Sequence, residues 1–195
     1  MAAPIKLNLK IYQGSTFKQM LRWESSTRVY VPITNISKSA PIVITAPNHL
    51  IPVGWRAKIT NAGGMKEANS LDYQIATSTT QDTVTFNQVN SLGFSAYTSG
   101  GVLEYNQPAP IAGLVARMQI REKLNSPTVI HELTTANGGI VFDNNYKTIT
   151  INIPDNITST FTFTSAVYTL EFEDLNGETN TFAKGSIVLE KEVTR

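Results

Sequence analysis

Two histidines, a run of carboxylates and three glycine pairs are the residues of this 195-residue chain whose types could do chemistry. His49 sits in APNHLIPVG, a proline-bounded loop that leads to Trp55. His131 lies in TVIHEL, which reads as a strand, with Glu132 next to it. Acid/base or metal chemistry needs partners on the same side of the chain, and adjacent strand residues point to opposite faces, so His131 and Glu132 cannot line one pocket without a bulge. No His-Glu-x-x-His spacing occurs, and both histidines read as structural. Glu171, Glu173 and Asp174 suggest the carboxylate pair of a glycoside hydrolase, and the first two share a strand face. Tyr168, Leu170 and Phe172 take the opposite face for the core, which leaves the glutamates on a solvated exterior. Serines are abundant, and a Ser-His-Asp triad is assembled in space, but no Gly-x-Ser-x-Gly elbow is present. No base, nucleophile and oxyanion donor converge, so the expectation is a protein that is not an enzyme and holds neither metal nor cofactor.

The stretch NAGGMKEANSLDYQI, Asn61 to Ile75, has the look of a site, with a glycine pair, Lys66, Glu67, Asp72 and Tyr73 close together. Its spacing fits a corner better. The glycines suit a tight turn, Met65 suits a plug beneath it, Lys66 and Glu67 fall outside a short turn, and Leu71, Tyr73 and Ile75 resume a strand. Asp174 to Glu178, DLNGE, superficially matches a calcium loop but lacks the remaining ligand positions, and its Asn-Gly explains it as a hairpin turn. Gly138-Gly139 is likewise a turn before a strand, and no P-loop lysine follows either glycine pair. The sequons at Asn35 and Asn156 matter only in a secreted eukaryotic protein.

The elements that must position these residues are strands. Thr148 to Ile153, TITINI, and Leu114 to Arg121, LVARMQIR, alternate with strict period two, as do Tyr168 to Glu173 and, after the Asp174 to Gly177 turn, Thr181 to Leu189. Lys6 to Ile11 and Phe17 to Trp23 behave alike, with Gln13-Gly14-Ser15 as the bend. Helical signals reduce to two single turns, Pro154 to Thr158, capped by Asp155 or Asn156, and Met65 to Asn69. From about Val31 to Gly101 the texture changes to Thr, Ser, Asn and Gly with few carboxylates, and strands at Pro41 to Thr45, Trp55 to Thr60, Leu71 to Ala76 and Thr83 to Val89 suffice for a small barrel. The expected organisation is all-β: a β-sandwich-like host domain from residues 1–30 and 102–195, with a small β-barrel, residues 31–101, inserted into it. Trp55, Tyr73, Phe86, Phe94 and Tyr97 could form a sugar-binding platform, but so small a barrel needs aromatics to fill its core.

Composition narrows the partners. Sixteen Lys+Arg against 15 Asp+Glu give a net charge of +1, with no field to steer the chain onto nucleic acid or an anionic membrane. No cysteine is present, which removes thiol chemistry and thiolate zinc sites. The first residues carry no apolar signal region, and no stretch approaches the ~20 apolar residues of a membrane helix, so the chain reads as soluble and unprocessed.

Taken in order, IYQGSTFKQMLRW (Ile11 to Trp23), QPAPIAGLVARMQIR (Gln107 to Arg121), ANGGIVF (Ala136 to Phe142), TITINIP, AVYTLEFEDLNGE (Ala166 to Glu178) and KGSIVLEKEVTR (Lys184 to Arg195) resemble the small β-domain virion proteins of tailed bacteriophages. They are similar in style to the N-terminal domain of siphophage upper-baseplate proteins. Pro108 to Gly113 departs from that style, with Ile111 and Ala112 where the family's turn is more polar. The segment between resembles small barrels shared by phage structural proteins and the first catalytic-cysteine half-domain of ubiquitin-activating enzymes, through Thr45 to Leu50, Val53-Gly54, Gly63 to Asn69 before Tyr73, and Ala96 to Gly101. That module carries no catalytic residue. The resemblance implies a virion component of the neck, collar, tail or baseplate, assembled in the bacterial host cytoplasm, self-associating into a homo-oligomer and docking to portal, connector or tail proteins. Capsid decoration or recognition of host-surface carbohydrate is the alternative. Edge strands would carry the contacts: Lys6 to Ile11, with Lys6, Leu7, Leu9 and Ile11, and Ile187 to Val193, with Ile187, Leu189 and Val193. Lys66 and Glu67 add a contact tip.

Overall fold

The computed structural model describes residues 4–192, so Val193 lies outside the described residues. In chain order the strands are β1 (Ile5–Lys6), β2 (Leu9–Tyr12), β3 (Phe17–Arg22), β4 (Glu24–Pro32), β5 (Asn35–Ile36), β6 (Ile42–Thr45), β7 (Arg56–Thr60), β8 (Gln74–Ile75), β9 (Ser78–Thr79), β10 (Thr83–Phe86), β11 (Val102–Pro108), β12 (Val115–Arg121), β13 (His131–Thr134), β14 (Ile140–Asp143), β15 (Thr148–Ile153), β16 (Ser165–Glu173) and β17 (Thr179–Glu190). A 3-10 turn at Lys66–Ser70 and α1 (Asp155–Thr158) are the helical pieces, each too short to form a packing layer. The chain is all-β, as its composition and alternation predict.

Two compact units divide it. One takes the chain up to Leu21, Ile111–Asp143 and the chain from Thr148 onward; the other takes Arg22–Pro110 and Asn144–Lys147.

The first unit is sandwich-like. A six-stranded sheet runs β1-β17-β16-β12-β13, with β2 also on β17, and a three-stranded sheet runs β14-β15-β3. Period-two alternation decides which side of each strand is buried. Ala116, Met118 and Ile120 of β12, Ala166, Tyr168, Leu170 and Phe172 of β16, and Ile149, Ile151 and Ile153 of β15 are all buried. The sheets meet through aromatic edges, with Phe142 of β14 T-shaped on Phe172 of β16 at 5.4 Å between ring centroids.

Two expectations are corrected here. As far as the described residues go, the stretch that begins at Ile187 is no edge: β17 pairs antiparallel with β16 on one side and parallel with β1 and β2 on the other. The bend expected at Gln13 to Ser15 is present, and it carries the chain from β2, which joins β17, to β3, which joins the second sheet. Gln13 fastens the crossing, its amide donating to the Glu190 carbonyl at 2.8 Å and its side chain to that of Phe161 at 2.8 Å. In α1 the capping position falls to Pro154 with no side-chain cap, since Pro can open a helix where an N–H would have no partner.

The second unit has one core under two four-stranded sheets, β5-β6-β10-β9 and β4-β11-β7-β8. Ile36, Ile42, Ile44, Val84 and Phe86 come from the first, Ala57, Ile59, Leu103 and Tyr105 from the second, and Trp55 and Met65 fill between them. The sheets remain open, and no strand pairing closes the expected barrel. Strands of two residues, β5, β8 and β9, supply too few backbone bonds to carry a closed ladder.

Candidate functional site

His49 is a buried polar residue with both ring nitrogens bonded. Its ring is buried, Nδ1 accepts from the Ile51 amide at 2.9 Å, and Nε2 lies 3.1 Å from the Thr83 carbonyl. An acceptor at Nδ1 and a carbonyl at Nε2 together require the neutral tautomer with its proton on Nε2. Both nitrogens are thereby spent on backbone. The Tyr105 hydroxyl donates to His49's own carbonyl at 2.7 Å, and burial raises that tyrosine's pKa. This clamp fixes a loop in which Asn48 and Leu50 both take positive φ, 57° and 56°. Leu50, 82% exposed, stands at its tip.

His131 is half-buried on β13, opposite Ile120, with the Phe161 ring 6.0 Å away; burial lowers its pKa. Glu132 points to the other face and accepts from Gln119, as the strand pleat dictates.

The outer face of the six-stranded sheet is the best-formed polar surface. Arg117 of β12 reaches Glu171 of β16 at 3.2 Å across the ladder. Arg121 donates to the Ser126 carbonyl at 2.6 Å and to Gln119 Oε1 at 2.8 Å, holding the loop that presents Leu124. Between them lies an open hollow of about 170 Å³, lined by Arg117, Gln119, Arg121, Leu124, Thr169 and Glu171. A second hollow of about 180 Å³ runs past Val115, Glu171 and Glu173. Of the charged groups here, Arg117 and Glu171 are paired with each other and Arg121 is committed to Ser126 and Gln119.

Asp174 is likewise committed. Its Oδ1 accepts the amides of Glu178 at 3.0 Å and Asn176 at 2.8 Å, and these bonds hold its carboxyl below the usual range. Among the described residues no group of three His, Asp or Glu side chains is arranged to hold a metal ion.

The corner at Asn61 to Ile75 is built as a clasp. The Ala62 amide donates to Asn69 Oδ1 at 2.8 Å, Asn69 Nδ2 returns a bond to the Ala62 carbonyl at 2.9 Å, and Met65 is fully buried below. Lys66 is exposed. Glu67 is engaged: its Oε1 accepts from the Ser95 amide at 3.0 Å and hydroxyl at 2.9 Å. Bonds from its own amide and then from Ser95 hold its carboxyl below the usual range.

The remaining interface candidates separate by burial. Lys6 is exposed and Leu7 half-buried, while Leu9, Ile11, Ile187 and Leu189 are core. The aromatics of the second unit are structural. Trp55 and Phe86 are fully buried, the Trp55 indole donates to the Asn106 carbonyl at 2.8 Å, and Phe94 and Tyr97 pack on the core from its margin. Tyr73 donates to Glu104 at 3.1 Å beneath the Arg56 guanidinium. No platform of exposed rings forms from these five. Tyr105 and Leu50 escape a sequence reading because a strand tyrosine and a loop leucine carry no motif, and positive φ at leucine has no residue-type signal.

Neither a protein-family model nor a curated protein matches this chain.

Proposed function

We propose that the protein is a structural component of a tailed-phage virion, of the neck, collar, tail or baseplate, working by self-association and docking to other particle proteins. The observation that carries this reading is where the chain places its unused apolar surface. Leu50, Leu124 and Leu175 are each more than 80% exposed, and each stands at the tip of a loop braced by buried or backbone-directed hydrogen bonds. An exposed leucine on a held loop is ready to enter a neighbour's pocket at little ordering cost. The His49 ring and the Asp174 carboxylate are by contrast spent on the fold. The resemblance of segments such as Ile11 to Trp23 and Ala166 to Glu178 to phage β-domain proteins supports the same reading.

Mass spectrometry of purified particles from the strain that carries the gene tests it. The protein is expected at a fixed copy number relative to the major head and tail proteins, and its absence from intact particles overturns the reading. Recognition of a host glycan is the weaker alternative, because Trp55 and Phe86 offer no exposed ring.

A further inference from the structure

The β4 strand is an edge of its sheet in the second unit. It pairs with β11 alone, at the border of its sheet, and its nine residues make it longer than any other edge strand. The ladder identifies which backbone groups are spent. The Ile33 amide donates to the Gly101 carbonyl, and from that point the register pairs Val31 with Leu103 and Val29 with Tyr105 as hydrogen-bonded partners. Arg28 and Tyr30, the alternate residues, therefore turn their N–H and C=O groups away from β11 toward the open side.

Proteins blunt such edges with lysines, prolines, bulges or inward charges. Here a register irregularity near Asn106 disrupts the first half of β4, and Pro32, without an N–H, closes the far end. Between these limits Arg28-Val29-Tyr30-Val31 is left unblunted, rich in residues that favour strands.

We infer that this window pairs with itself: a second copy of the chain adds its β4 antiparallel, about a two-fold axis through Val29, joining two four-stranded sheets into one of eight. The inference rests on the self-association proposed above and names its surface. Register discriminates strongly. With Val29 on the axis, Arg28 faces Tyr30 of the second copy on the outer side, a cation over an aromatic ring, and Thr27 faces Val31 on the inner side. Both outward-facing residues then meet outward-facing partners, forming four backbone hydrogen bonds. Shifting two places one way sets Arg28 against Arg28, and two places the other way sets Arg28 against Pro32, which has no N–H to offer. A two-fold contact of this kind closes on itself and ends at a dimer.

The test is the mass of the full chain in solution. Light scattering after size exclusion is expected to give twice the 21.4 kDa of one chain at high micromolar concentration. Hydrogen exchange is expected to show the Arg28 and Tyr30 amides protected. Tyr30→Pro removes the outward N–H and leaves the β11 ladder intact; Tyr30→Lys sets an ammonium opposite Arg28. Each is expected to raise the dimer dissociation constant by about 10-fold or more, with the far-UV spectrum unchanged. If the proline variant unfolds, the lysine variant decides. A wild-type monomer, a dimer that both variants leave intact, or open-ended aggregation overturns the interface. A dimer absent from purified particles sinks the virion reading alone, and a monomer found in particles sinks the β4 interface alone.

Discussion

The hydroxyl of Tyr105 donates to the carbonyl of His49 across 2.7 Å, tying β11 to the loop that holds the buried imidazole. Removing that hydroxyl leaves a buried carbonyl with one fewer donor, so Tyr105→Phe is expected to cost about 1–2 kcal/mol in urea unfolding. His49→Ala strips partners from both the Ile51 amide and the Thr83 carbonyl, and its expected cost is about 3 kcal/mol. A histidine placed for chemistry would lose activity with little loss of stability; this one is expected to do the reverse.

Leu50 pays strain for its place at the tip. Its φ of 56° is a left-handed conformation that costs a residue with Cβ about 1–2 kcal/mol, and at 82% exposure it buries almost nothing in return. Leu50→Asn, which tolerates that conformation, is expected to raise stability by about 0.5–1 kcal/mol. Leu50→Val, branched at Cβ, is expected to lower it by about 1 kcal/mol. Thermal unfolding of the two variants, moving in opposite directions from the wild type, checks both.

Gly185 lies where β17 passes beneath the link between β1 and β2. A Cβ there would come within 2.0 Å of the Leu7 carbonyl oxygen, the same oxygen that accepts the Tyr168 hydroxyl at 2.7 Å. Backbone must therefore shift, and Gly185→Ala is expected to cost about 2–4 kcal/mol. Amide exchange should rise first at Leu9 and Ile11, the residues that pair with the far end of β17.

Burial of Tyr168 pushes its phenol up to about 12, against about 10 in an unfolded chain. The folded state holds the proton more tightly, so this contribution is fully present below pH 10 and is lost as the pH climbs toward 12. Over that window stability is expected to fall at up to about 1.4 kcal/mol per pH unit. Tyr105, also raised by burial, adds a loss of the same sign. Urea midpoints measured from pH 9 to 12 should flatten in Tyr168→Phe relative to the wild type.

The hairpin at Asp174 to Gly177 is closed differently from the Asn-Gly turn its sequence suggests. Gly177 alone takes positive φ, 81°, and its amide returns to the Asp174 carbonyl at 3.0 Å, which puts Leu175 and Asn176 at the centre. Gly177→Ala is therefore expected to cost about 1 kcal/mol, and Asn176→Gly no more than a few tenths beyond its entropic penalty. Equal losses in the two variants would contradict this geometry.

The strands that sequence identifies well are those whose alternation is strict. TITINI became β15 without a change of boundary, and β12 and β16 bury the residues their pattern assigns. What alternation does not encode is the partner. Nothing in LKIY or SIVL says that the first and last strands run parallel, because parallel pairing depends on where the intervening chain goes. The β4 strand was hidden for another reason: ESSTR lacks the apolar alternation of a half-buried strand, since one edge and one face of it meet water. In the second unit the strands at Ile42–Thr45, Arg56–Thr60 and Thr83–Phe86 were legible, but the shear and closure that separate a barrel from two open sheets depend on register, which composition leaves free. The polar residues of the site were legible as types and not as roles. His49 reads as structural, Asp174 as part of a turn and Glu67 as the outside of a corner, but the bonds to backbone that fix each side chain carry no sequence signal.

The parallel pairing of β2 with β17 also orders events during synthesis. Leu9 and Ile11 are translated long before the strand they lean on, Thr179–Glu190. Until it emerges, Leu9 and Ile11 have no bed, and the six-stranded sheet lacks the member that stands between β16 and the strands β1 and β2. A nascent chain truncated before Thr179 is thus a sheet with an open seam, and its completion is an act of the whole polypeptide rather than of any early part.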